Sequence, residues 1–134
     1  MNILIFDDEE DLCTILTLIC IRKNYTVSCA SNLPDALILM ESLPVLMFLD
    51  NNLTDGVGLE MIEQLKARSP LTKIAFITAS SDHNIQAQAF SQGADYFLAK
   101  PFQLQGVREI LSQFQDYYKK PDSSLSFVSA PSVY

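Results

Sequence analysis

The sequence predicts an α/β domain in three αβα layers, with a five-stranded parallel sheet covered by helices on both faces. Three observations predict it. Five short apolar runs recur along the chain, at 2–6, 25–30, 45–49, 73–78 and 95–99. Stretches with apolar residues at helical spacing follow each run. The two patterns alternate up to residue 118, and consecutive parallel strands joined by right-handed crossovers leave few topologies.

The first run is "NILIF" (2–6). "DLCTILTLICIRKN" (11–24) then places Leu12, Ile15, Leu16, Ile19 and Cys20 at inward helical positions. "YTVSCA" (25–30) is the second strand, after which Ser31 or Asn32 can cap a helix carrying Ala36, Leu37, Leu39 and Met40. "VLMFL" (45–49) is the third strand. After Gly56 and Gly58, "LEMIEQLKARS" (59–69) turns Leu59, Met61, Ile62 and Leu65 inward and Glu60, Glu63 and Lys66 outward. "KIAFIT" (73–78) is the fourth strand, and "NIQAQAFSQG" (84–93) reads as a helix stopped by Gly93. "DYFLA" (95–99) precedes the last helix, "LQGVREILSQFQDYY" (104–118), with Leu104, Val107, Leu111 and Phe114 on one stripe. Residues 119–134 are rich in Ser and Pro and have no period. The expected division is therefore a domain over 1–118 and a tail or linker over 119–134.

Composition narrows the function classes. The chain has 134 residues, 49% hydrophobic and 19% charged, as an ordinary globular domain does. Its net charge of −7 opposes direct binding to a phosphate backbone. No apolar run approaches the roughly 20 residues that span a bilayer. Asp7 and Asp8 come too early for a signal peptide, so a cytoplasmic protein is expected. Cys13, Cys20 and Cys29 sit in apolar surroundings without metal-type spacing and read as buried, reduced thiols.

In a parallel sheet, ligands sit beyond the carboxyl ends of the strands. Asp7 and Asp8 follow the first run, Asp50 follows the third, and Thr78 closes the fourth before Ala79. Lys100 and Pro101 follow the fifth. Three carboxylates brought together repel, and a divalent cation removes that penalty. Hard oxygen donors without His or Cys select Mg²⁺, or Mn²⁺ in its place, over zinc. Such a cation suits phosphoryl chemistry. In a phosphoryl group three oxygens need partners: the metal, Lys100, and Thr78 with the Ala79 backbone N–H. Asp50, on the middle strand, is best placed as the nucleophile that forms an acyl phosphate.

These residues resemble the receiver domain of two-component response regulators. The resemblance covers about residues 1–118 and rests on "LIFDDEEDL" (4–12), "FLDNNLTDGVG" (48–58), "FITAS" (76–80) and "GADYFLAKPF" (93–102), in order and at the family's spacing. It implies a flavodoxin-like sheet in the order 2-1-3-4-5. It implies Asp50 as phosphoacceptor, Asp7 and Asp8 as the acidic pair for Mg²⁺, and Asn52 as a backbone-carbonyl ligand. Thr78 and Phe97 match the switch positions, Lys100 the lysine that pairs with the phosphoryl group, and Lys100–Pro101 a cis peptide. The implied partner is a sensor histidine kinase or a histidine phosphotransfer protein, with a homodimer allowed and the output domain unspecified. No direct nucleic-acid or membrane contact is implied.

The chain departs from that family in places. Thr54 stands where Pro is usual, which predicts a less rigid loop after Asp50. Phe97 replaces a Tyr, and Asn52 and Ser80 flank the position from which water would attack. Cys13, Leu18 and Ile21 give the first helix an apolar outer face suited to docking or dimerisation. His83 reads as a loop residue near a helix start. Two other functions compete: a receiver-like module that signals without phosphorylation, and a hydrolase resembling the haloacid dehalogenases. The latter matches "FLDNNLT", but Asn52 replaces its general acid and the strand is third rather than first.

Overall fold

The computed structural model of the chain describes residues 1–80, 82–119 and 132–133. The elements run β1 (Asn2–Phe6), α1 (Glu10–Arg22), β2 (Thr26–Ala30), α2 (Leu33–Met40) and β3 (Leu46–Asp50). A small hairpin follows, β4 (Asn52–Leu53) and β5 (Gly56–Val57), then a 3₁₀ turn (Gly58–Met61) into α3 (Ile62–Arg68). The chain continues through β6 (Lys73–Thr78), α4 (His83–Gln92), β7 (Tyr96–Ala99), α5 (Leu104–Lys119) and β8 (Ser132–Val133).

The main sheet is ordered β2-β1-β3-β6-β7-β8, and every pair in it is parallel. The five expected strands thus stand in the order 2-1-3-4-5 when counted without the hairpin and β8. β8 lies within the stretch expected to be a tail or linker and pairs Ser132 with Tyr96 and Val133 with Phe97. Residues 120–131, most of that stretch, lie outside the described residues.

Alternate residues of each strand feed two cores. Leu4, Phe6, Met47, Leu49, Ile74 and Phe76 face α2, α3 and α4. Ile3, Ile5, Leu46, Phe48, Ala75 and Ile77 face α1 and α5. Each fully buried Leu, Ile, Met or Phe among them contributes about 1.5–3 kcal/mol. Every residue of β3 is buried, so the sheet's central strand carries its terminal carboxylate into the interior. Asn32, not Ser31, caps α2, its Oδ1 accepting the Asp35 N–H at 2.9 Å. His83 opens α4 behind the Asp82 cap.

Several expected faces are corrected. Ile15 is exposed beside Leu18 and Ile21, while Leu16 and Cys20 take the fully buried positions of α1. Leu104 is likewise exposed, and Ile110 fills the α5 stripe with Val107, Leu111 and Phe114. Lys66 is not fully outward: its ammonium folds back to donate to Thr72 O at 2.7 Å and Asp95 Oδ2 at 3.0 Å. The cysteines differ most. Cys20 is a buried free thiol, but Cys13 and Cys29 form a disulfide between α1 and β2. Cys29 pairs in register with Ile5, so its side chain is on the sheet face that α1 covers. Among the described residues, no helix is long and apolar enough to cross a membrane.

Candidate functional site

Strand register sets the site. β1, β3, β6 and β7 run parallel and finish near one edge, with Phe6 beside Leu49, Asp50 beside Ile77 and Thr78 beside Ala99. The residues that leave the strands there are the ones the sequence singles out.

Asp7 is held by backbone on both sides. Its N–H donates to Ala30 O at 3.1 Å, and its Oδ1 accepts the Glu9 N–H at 2.9 Å. Asp8, next to it, is more solvent-facing, and its Oδ2 accepts the Thr54 hydroxyl at 2.6 Å. Asp50 is 1% exposed. One carboxylate oxygen from each of Asp7, Asp8 and Asp50 lies within 4.8 Å of the others. Lys100 Nζ stands 2.9 Å from Asp50 Oδ1. Its backbone N–H donates to Thr78 O at 2.8 Å, which locks the end of β7 to the end of β6, and the Lys100–Pro101 peptide is cis. The buried Thr78 hydroxyl accepts the Ser80 N–H at 3.1 Å. Ala79 is exposed directly after it.

Asn51, a residue that no sequence pattern singles out, organises the loop. Its N–H donates to Ile77 O at 2.8 Å, its carbonyl accepts the Gly58 N–H at 2.8 Å, and its Oδ1 accepts the Leu59 N–H at 3.0 Å. A Cβ on Gly58 would strike the Asp50 carbonyl, so only glycine lets the returning backbone close on the site. Asn52 begins the hairpin that this closure creates, paired with Val57. The loop in which Thr54 replaces the usual Pro carries two side-chain contacts to other elements. Thr54 bonds Asp8, and Asp55 Oδ2 accepts the Leu33 N–H at 2.7 Å. The lone signal for this in the sequence is a hydroxyl and a carboxylate at a two-residue hairpin tip. Phe97 is buried beside Phe76 and Phe90, with ring centroids 6.1 and 6.2 Å away.

Burial dominates the electrostatics. It pushes the Asp7 carboxyl up to about 6, against the Glu9 N–H, with the Asp50 charge adding to the rise. Burial also raises Asp50, and the Lys100 ammonium only partly offsets it. Lys100 is pulled down by its own burial, but pairing with Asp50 wins and leaves its affinity for the proton raised. One ammonium thus faces two buried acids. Asp7 Oδ2 and both Asp50 oxygens receive no well-directed hydrogen bond among the described residues; the Lys100 contact is an ion pair. Three clustered carboxylates that share one ammonium, in an all-oxygen set, fit a hard divalent cation.

Comparison with known proteins decides the family. Residues 3–112 match the family model of the response regulator receiver domain. The chain belongs to this family. The response regulator protein PilR of Pseudomonas aeruginosa is 34% identical over 110 residues, which cover 81% of this chain and 25% of PilR. The chain therefore spans about a quarter of that relative's length. Among solved structures, a response regulator of Burkholderia pseudomallei, crystallised with a phosphorylated aspartic acid, a calcium ion and citrate, superposes with a TM-score of 0.76. It has 29% identity, and the match covers 92% of this chain and 71% of the other. The beryllofluoride-activated NtrC4 receiver domain dimer superposes with a TM-score of 0.80 at 27% identity, over 88% of this chain and 98% of that one. The receiver fold is flavodoxin-like, as expected, and receiver domains are signalling switches rather than conventional enzymes.

Proposed function

We propose that this receiver takes a phosphoryl group from a phosphohistidine donor onto Asp50. The observation that carries the proposal is the gathering of Asp7, Asp8 and Asp50 within 4.8 Å beside an ammonium 2.9 Å from Asp50. A carboxylate oxygen of Asp50 forms the new O–P bond as the N–P bond of the donor breaks, and the donor imidazole leaves with the electron pair. Asp7, Asp8 and Asp50, with the Asn52 carbonyl, would hold Mg²⁺ or Mn²⁺, which supplies positive charge against the phosphoryl oxygens. Lys100 transfers its pairing from the Asp50 carboxylate to a phosphoryl oxygen. The Thr78 hydroxyl and the Ala79 N–H donate to another.

Thr78 moving toward the new group leaves room that Phe97 follows, and the face of α4, β7 and α5 changes. The donor is a sensor histidine kinase or histidine phosphotransfer protein, as the likeness to PilR supports. Homodimerisation is supported by the NtrC4 likeness, and the cytoplasm is the compartment where such a donor works. That changed face is the surface an output domain or protein would read.

The test is incubation with acetyl phosphate or phosphoramidate and Mg²⁺, read by intact mass. One phosphoryl group is expected on the wild type and none on Asp50→Asn. No Asp50-dependent gain defeats the proposal in favour of a phosphorylation-independent module. Sustained turnover of phosphate monoesters defeats it in favour of a hydrolase.

A further inference from the structure

We infer that Thr54 is a positioning residue that presets the Asp8 carboxylate for Mg²⁺ and sets the preference for Mg²⁺ over Ca²⁺. The inference rests on the proposed phosphoryl-transfer reading of the same site and adds a residue that reading does not use.

Of the three clustered carboxylates, two are fixed by their burial. Asp7 is held by the Glu9 N–H, and Asp50 is the last residue of a strand buried throughout. Asp8 is the accessible member, and an exposed carboxylate is free to rotate into water. Its restraint is the Thr54 hydroxyl, 2.6 Å from Oδ2 across 46 residues of sequence. Thr54 can act as an anchor because it is itself anchored. It and Asp55 are the two residues between the paired Leu53 and Gly56, and Asp55 is fastened to the first residue of α2 through the Leu33 N–H. The hairpin tip thus bridges the loop after β1 and the start of α2. Pro, usual here in the family, has no hydroxyl to donate.

The chemistry follows from the ions. Mg²⁺ demands near-ideal octahedral geometry, whereas Ca²⁺ accepts irregular coordination and carboxylates bound through one or both oxygens. A carboxylate held in one orientation lowers the ordering cost for the strict ion more than for the tolerant one. Outer partners of metal ligands typically affect affinity by about 10–100-fold. Thr54 is neutral, so it orients Asp8 without competing for the charge that draws the cation.

The experiment titrates the ¹⁵N-labelled full chain with MgCl₂ and separately with CaCl₂, following the amides of Asp8, Glu9 and Asn52. Variants are Thr54→Val, Thr54→Ser and, should the first melt early, Thr54→Ala. Thr54→Ser is expected to bind Mg²⁺ like the wild type. Thr54→Val is expected to bind it about tenfold more weakly while Ca²⁺ affinity falls by less than about threefold. Wild-type Mg²⁺ affinity in Thr54→Val, or an equal loss for both ions, overturns the inference. Absence of any Mg²⁺ response in the wild type overturns the phosphoryl-transfer reading and this inference with it.

Discussion

Asp7 and Asp50 each hold a proton more tightly folded than unfolded, because burial penalises their charge. For Asp7 the rise is from 3.8 to about 6. Its contribution to stability is fully present below the unfolded value and is lost as pH rises through the folded one. Asp50 acts in the same direction. Without divalent cations, urea midpoints should therefore fall between about pH 4 and 6 through Asp7, and Asp7→Asn should flatten that slope. Mg²⁺ binding has the opposite dependence, since the cation needs the ionised acids: its affinity should drop as pH falls below about 6, measurable by the same amide titration. At Phe97 the expectation concerns packing. The ring is enclosed by Phe76 and Phe90, so Phe97→Ala should cost about 3–5 kcal/mol in a denaturant melt.

At the scale of elements, the loop after β3 and the outer face of α1 carry the predictions. Gly58→Ala should destabilise by roughly 1–3 kcal/mol, because the added methyl meets backbone that cannot yield. Urea unfolding at fixed pH checks it. On α1, Ile15, Leu18 and Ile21 are exposed, with Leu18 at 55% and Ile21 at 53%. Replacing Leu18 and Ile21 with Lys should leave stability within about 0.5 kcal/mol. It should slow transfer from a phosphohistidine donor while uptake from acetyl phosphate is unchanged; unaltered transfer and unaltered oligomeric state would refute a docking role. Element identity is legible in the sequence because each strand and helix has its own period. Which flank of an apolar helix turns inward is less so: Ile15 and Leu16 are adjacent, both aliphatic, and differ by about 100° of helix, so only the position of the sheet separates them.

At the scale of the whole molecule, β8 adds two residues to the edge beyond β7. Among the described residues, the two cores named above draw on residues 3–114. A chain ending at Lys119 should accordingly fold, with a loss of about 1 kcal/mol or less for the missing ladder bonds, as thermal melting would register. A larger loss would place residues 120–134 within the folding unit. The cysteine pairing escapes the sequence at this scale for a definite reason. Cys13 and Cys29 are 16 residues apart in different elements, and their meeting depends on which face of β2 lies under α1.

The sequence by itself determined the alternation of strands and helices, the parallel sheet, and the acids, hydroxyl and lysine at its carboxyl edge. Those follow from local period and from a rule of parallel sheets that holds whatever the packing. Tertiary structure decided what depends on distant residues meeting. It brought Thr54 to Asp8 and Asp55 to Leu33, drew Lys66 to Asp95, joined Cys13 to Cys29, and made Asn51 the brace behind Asp50. A hydrogen bond between residues 46 apart has no period and leaves no local pattern, so it becomes visible only when the fold has placed both partners.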